Sequence, residues 1–111
     1  MSERIKKIND LLRDEVARIF LDELEKEDGI LVTVTGADTS PTLEHATIMI
    51  SVFPKGKESE ILKKLKGQIY HIQQILNHRL SMRSIPKIRF EIDPSEERAA
   101  KIEDIFKNLK K

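Results

Sequence analysis

Residues 46–93 read ATIMISVFPKGKESEILKKLKGQIYHIQQILNHRLSMRSIPKIRFEID, and three patterns follow one another along them. Ala46, Ile48, Ile50 and Val52 alternate with Thr47, Met49, Ser51 and Phe53, the period of two that turns one face of a strand to a core and the other to water. Beyond a turn at Pro54 to Gly56, apolar residues return at Ile61, Leu62, Leu65, Ile69, Ile72, Ile75, Leu76 and Leu80. Those spacings of three and four predict an amphipathic helix from about Glu58 to Leu80. Gly67 inside it costs about 1 kcal/mol relative to alanine and marks a candidate kink. Pro86 stops the helix from continuing, and Ile88, Phe90 and Ile92 then alternate with Lys87, Arg89 and Glu91 as another strand with one dry face.

Upstream, Ile5, Ile8, Leu11, Leu12, Val16, Ile19, Phe20 and Leu24 set a helical stripe over about Glu3 to Lys26, with Ser2 able to cap its start and Gly29 placed for a left-handed end. Ile30 to Thr35 is β-branched and reads as a strand, joined to the strand at Ala46 by a Gly36–His45 connection that Ser40 and Pro41 keep from pairing. Adjacent antiparallel strands are the simplest arrangement. Downstream, Asp93, Pro94, Ser95 and Glu96 match an N-cap, a first-turn proline and the acid of a capping box. The helix they open carries Ala99, Ile102, Ile105, Phe106 and Leu109. The order helix, strand, strand, helix, strand, helix predicts a single α+β domain over residues 1–111, a three-stranded sheet with its helices on one face and the other face polar and open.

At 111 residues, with 39% hydrophobic and 35% charged side chains, the chain has room for one aliphatic core under a densely ionic surface. The absence of cysteine removes disulfides, thiolate metal sites and a thiol nucleophile. No apolar run approaches the roughly 20 residues of a membrane span, and Met1 to Asp10 alternates charge with isoleucine where a secretory signal needs an unbroken apolar stretch. A soluble, unexported protein is expected. The net charge of +1 hides an uneven distribution. Acids outnumber bases from Glu3 to Asp28, whereas Ile61 to Phe90 holds Lys63, Lys64, Lys66, Arg79, Arg83, Lys87 and Arg89 and no acid. Such a run sets up a local positive field even in a nearly neutral protein.

The element order is that of a type II KH domain. Four stretches resemble the ribosome-binding factor A family: the first helix with Val16, Ala17 and Ile19; the strand Leu31 to Thr35; the passage Ser40-Pro41-Thr42-Leu43-Glu44-His45-Ala46; and Arg79 to Asp93, with its leucine and arginine, proline, apolar-x-phenylalanine strand and aspartate. The resemblance spans nearly the whole chain. It implies a cytoplasmic bacterial factor, monomeric and not an enzyme. Such a factor binds the small ribosomal subunit and its 16S rRNA during late assembly and rRNA 5′ end processing, without cofactor, small-molecule substrate or membrane. Two positions depart from the family pattern. Thr42 stands where an aspartate is common, and an alanine-x-glycine kink expected near Gln68 to Tyr70 is replaced by a lone Gly67.

The usual KH grip on a single strand is a GXXG loop, and Gly29, Gly36, Gly56 and Gly67 are too scattered to form one. With Phe20, Phe90 and Phe106 at core positions and Phe53 ending a strand, few aromatics remain for base stacking. Recognition of RNA backbone by cations is the chemistry left. The candidate RNA-binding residues are Lys63, Lys64, Lys66, Gly67, Arg79, Arg83, Lys87 and Arg89, with His71, Gln74 and His78 on the same helix stripe. The arginines are suited to bidentate phosphate contacts, and Gly67 allows close approach. For any one of these residues, a merely solvated helix face explains the charge equally well. His71 and His78 lack the further ligands that a metal needs. The first-helix acids Asp14, Glu15, Asp22 and Glu23 interleave with Arg13, Arg18 and Lys26 as a salt-bridged face and not as a catalytic pair. Two other functions compete: a generic KH-like RNA binder not tied to ribosomes, and a protein-interaction module using the first helix, whose stripe does not keep a strict heptad.

Overall fold

Two helices and three strands follow in the order α1 (Glu3–Glu23), β1 (Leu31–Thr39), β2 (His45–Phe53), α2 (Glu58–Arg79) and β3 (Lys87–Ile92) in the computed structural model, which describes residues 3–24 and 29–95. β2 is the middle strand, antiparallel to β1 and parallel to β3. A parallel neighbour requires a crossover, and α2 supplies it. The inward residues Ala46, Ile48 and Ile50 are buried beneath Ile8, Leu12, Val16 and Ile19 of α1 and Ile61, Leu65, Ile72 and Leu76 of α2. α1 lies over β1 and α2 over β3. Phe20 of α1 meets Phe90 of β3 with ring centroids 5.6 Å apart. The expected α+β architecture, with helices on one sheet face, is the one observed.

Two boundaries differ from expectation. α1 ends at Glu23, short of Lys26, with Leu24 in a bend. Gly29 is left-handed as anticipated (φ 81°), but it leads into β1 and does not close the helix. β1 runs to Thr39 instead of ending at Thr35. Its register with β2 steps from Val34↔Ile50 to Gly36↔Met49, so Thr35 is the extra residue of a bulge. The bulge shifts the side-chain alternation by one, bringing Val32 and Val34 inward before it and Ala37 and Thr39 after it. A period that changes phase midway looks like the end of a strand. Beside the bulge, a Cβ on Gly36 would sit 3.3 Å from the Met49 methyl, so a larger residue there would push the methionine side chain aside by a few tenths of an ångström. α2 runs unbroken through Gly67, and Ser2, Lys26 and the helix expected beyond Ser95 lie outside the described residues.

Three polar contacts lock the layers. The Thr39 amide donates to Asn9 Oδ1 at 2.8 Å, joining the end of β1 to α1. Gln73 of α2 behaves toward β3 as a short length of extra strand. Its Oε1 accepts from the Ile88 amide at 2.9 Å and its Nε2 donates to the Pro86 carbonyl at 3.1 Å. The outer edge of β3 is thereby covered where an unpaired edge would invite another strand. Beyond β3, the Asp93 amide donates to the Ile50 carbonyl (2.8 Å), and the Asp93 carboxylate accepts from the Ser95 amide (2.8 Å) and hydroxyl (2.6 Å). Asp93 thus makes the side-chain contact expected of it, while Glu96, the expected acid of the capping box, lies outside the described residues.

The Ser95 hydroxyl holds the Asp93 carboxyl below the usual carboxylate range. The Thr35 hydroxyl and the Ser95 amide act in the same direction, against a small opposing effect of burial. Thr35 has one proton to divide between Asp93 and the Met49 carbonyl, which lies 3.2 Å from its oxygen.

Gln73→Ala should destabilise the fold by about 1–3 kcal/mol, because it leaves the Ile88 amide and the Pro86 carbonyl without partners. The neighbouring exposed Gln74→Ala should stay within about 0.5 kcal/mol; urea denaturation of both variants checks this. Asp93 is more acidic folded than unfolded, so its stabilisation is complete above the unfolded value of about 3.9 and fades as pH falls through the folded value. Asp93→Asn should therefore lower the urea midpoint at neutral pH, and the gap from the parent should close on acidification.

Candidate nucleic-acid interface

Burying Ile61, Leu65, Ile72 and Leu76 leaves α2 one long outward face. On it stand Lys63, Lys66, Gly67, Tyr70, His71, Gln74 and His78, all exposed. Lys64 lies at the margin, half-buried and engaged. Lys63 and Lys66 form no ion pair among the described residues, whereas Lys57 at the helix start pairs with Glu60 at 3.7 Å. A Cβ built on Gly67 meets nothing within 4 Å, so no packing within the described residues requires glycine at this exposed position. Its cost of about 1 kcal/mol in a helix interior leaves bare backbone between Lys63, Lys66 and Tyr70, where a phosphate has room to come close. Tyr70, 76% exposed, is an aromatic surface beside that gap.

The remaining candidates separate into different settings. Arg79 does not extend the stripe. It turns back to α1, its guanidinium 3.2 Å from Asp22 and 3.7 Å from Glu23, with a side chain only 27% exposed. The acids crowded at the end of α1 thus serve to hold α2 against it. Arg89 lies on the open sheet face, donating to the Thr47 hydroxyl at 3.0 Å and paired with Glu91 at 3.3 Å. Lys87 is exposed at the start of β3, and Arg83 is exposed in the α2–β3 loop. Neither is ion-paired among the described residues. The expected cation track therefore becomes an α2 face with Lys63, Lys66 and Gly67, and a separate group at the end of the sheet with Arg83 and Lys87.

That second group contains residues the sequence reading passed over. Arg4 and Lys7, from the first turns of α1, line the same cleft as Arg83. Their signal was available: cations at a helix N-terminus oppose the macrodipole and so call for a reason other than helix stability. Elsewhere, a cleft of about 390 Å³ between α1, β1 and α2 is walled by Phe20, Leu21, Leu24, Ile30 and Val32, with Lys64 and Gln68 as its polar side chains besides Thr33. It is shaped for apolar contact and not for phosphate. Among the described residues no three His, Asp or Glu side chains are grouped to hold a metal, and no helix is long and apolar enough to cross a membrane.

Comparison with known proteins gives the chain's relatives. The family model for ribosome-binding factor A matches residues 4–106. Ribosome-binding factor A of Akkermansia muciniphila is 32% identical over 115 residues, covering 100% of this chain and 91% of the relative. The crystal structure of ribosome-binding factor A from Thermus thermophilus superposes with a TM-score of 0.66 at 17% identity, covering 79% of this chain and 94% of that one. A Thermus thermophilus homology model fitted into a cryo-EM map of a 30S complex gives a TM-score of 0.63 at 20% identity, with coverage of 75% and 88%. At these identities the two structures establish a shared fold.

The divided setting of the cations predicts divided behaviour. Arg79→Ala should lower stability by up to about 1 kcal/mol, an effect that shrinks at high salt and that couples to Asp22→Ala in a double-mutant cycle. Lys63→Ala/Lys66→Ala should change stability by less than about 0.5 kcal/mol at any salt. Urea denaturation at low and high ionic strength checks both.

Proposed function

The chain belongs to the ribosome-binding factor A family, and from that membership we propose that it is a ribosome maturation factor that binds the small ribosomal subunit and its 16S rRNA late in assembly. The observation that carries the reading to particular residues is the outward face of α2, where Lys63 and Lys66, unpaired among the described residues, flank an open Gly67. Cations with no partner among the described residues, beside backbone that none of those residues crowds, suit RNA phosphates. The structural relative fitted into a 30S complex supports the small subunit as the partner.

The action is binding and not catalysis. The protein holds one conformation of immature rRNA through its higher affinity for that state and leaves when the mature conformation removes the advantage. Processing of the rRNA 5′ end belongs to the same stage, because an rRNA held in the right conformation exposes its end to the nucleases that trim it. The protein works as a monomer in the cytoplasm and requires no cofactor. Lys63, Lys66, Gly67, Arg83 and Lys87 touch RNA directly. Lys64 borders that face, Arg89 reaches RNA from the open sheet surface, and Arg79 acts mainly by fixing the angle of α2.

Binding of the purified protein to immature small subunits, mature small subunits and large subunits across a salt series tests the reading. Immature small subunits should bind most tightly, with a log-log salt slope of roughly −3 to −5 for four to six phosphate contacts. Lys63→Glu/Lys66→Glu should lose at least about tenfold in affinity. Equal affinity for all three particles would overturn the function, and a variant that binds as well as the parent would overturn the assigned face.

A further inference from the structure

The cleft at the far end of the sheet is built differently from the α2 face. Arg4 and Lys7 from the start of α1 and Arg83 from the α2–β3 loop, distant in sequence, converge around a space of about 700 Å³, within the range of clefts that take small ligands. None of the three is ion-paired among the described residues, although Arg13, Arg18, Arg79 and Arg89 all are. Two of them stand in the first turns of a helix, where the dipole disfavours positive charge. Helix stability therefore does not account for them. The floor is apolar: Leu11, 40% exposed, and half-buried Leu43 and Met82. Leu43 reaches it from a left-handed backbone (φ 63°), held in the loop by its amide donating to the Ser40 carbonyl at 2.9 Å. Among the described residues Glu44 is the one acid on the wall, leaving a positive excess and offering an acceptor to a sugar hydroxyl.

Cations around an apolar floor match a nucleotide better than a bare phosphate track. We propose that this cleft is a second RNA contact that receives one unpaired nucleotide, its phosphate held by Arg4, Lys7 and Arg83 and its base resting on Leu11, Leu43 and Met82. The proposal rests on the RNA-binding function above and adds an anchor beyond the C-terminal end of α2, a helix about 33 Å long at 1.5 Å per residue. One anchor on the N-terminal half of the helix and another beyond its C-terminal end fix the direction in which RNA lies on the protein, which a single charged face does not do. An acidic protein segment would satisfy the cations but would leave the apolar floor uncovered, whereas a base covers it and also stacks on a guanidinium plane.

Two measurements test this. In the first, Arg4→Ala/Arg83→Ala is compared with the parent and with Lys63→Glu/Lys66→Glu for binding to immature small subunits. The cleft variant should lose about tenfold in affinity and reduce the magnitude of the salt slope by about two, with an unchanged circular dichroism spectrum. In the second, the unmodified protein is irradiated with a short single-stranded RNA carrying 4-thiouridine, and the cross-linked peptides should include Leu11, Leu43 or Met82. Cross-linking should be suppressed by polyuridylate and not by polyglutamate. A cleft variant that binds like the parent while the α2 variant does not, with cross-links confined to α2, overturns the cleft and leaves the function standing. Equal suppression by polyglutamate assigns the cleft to an acidic protein. Failure of the parent to bind any particle or RNA overturns both.

Discussion

The rest of the molecule depends on the burial of one face of β2. Ala46, Ile48 and Ile50 are sealed from solvent by two helices at once, and a strand bonded on both edges cannot shift register by one residue without turning all three to water. α1 and α2 are fixed because each must cover part of that face. β3 is fixed because it follows the helix that covers it. The functional surfaces are what remains on the outside of elements whose inner faces β2 has already committed.

Polar contacts then refine a layout that burial has made. Gln73 sits where α2 passes from its buried to its exposed face and spends its amide on the backbone of β3. Asn9 does the same from α1 to the end of β1. Both are helix side chains that complete a sheet, and both bind the layers at points where hydrophobic contact alone would allow sliding. Arg79 adds an ionic link between the two helices. It crosses from the end of α2 to the end of α1, at the margin of the exposed face of α2.

The cations show how one residue type takes several roles in the same sequence run. Lys63 and Lys66 project from a helix whose acids are confined to its first turn, and they remain unpaired among the described residues. Arg79, a few turns along, meets two carboxylates of another helix. Arg89 meets Glu91 two residues on, since alternate residues of a strand share a face. Among the described residues, unpaired positive charge is therefore concentrated at the α2 face and at the cleft of Arg4, Lys7 and Arg83, not spread evenly along residues 61–90.

The sequence by itself determined the type and order of the five described elements, the inward residues of β2, α2 and β3, and the role of Asp93 as a side-chain acceptor after β3, because each is a local matter of period or spacing that neighbours in the chain decide. It also carried the family, through the loop and strand passages from Ser40 to Ala46 and from Arg79 to Asp93. The bulge at Thr35 was hidden, since an extra residue changes the phase of the alternation and reads as a strand's end. Gln73 was hidden among polar residues of an amphipathic helix, where only the nearness of β3 distinguishes it from Gln74. Which arginine is a clamp and which is free, and that Arg4 and Lys7 share a cleft with Arg83, only the tertiary structure decided. Coulomb attraction and hydrogen bonding act over a few ångströms of space, and residues far apart in sequence come within that reach only when the chain has closed around β2.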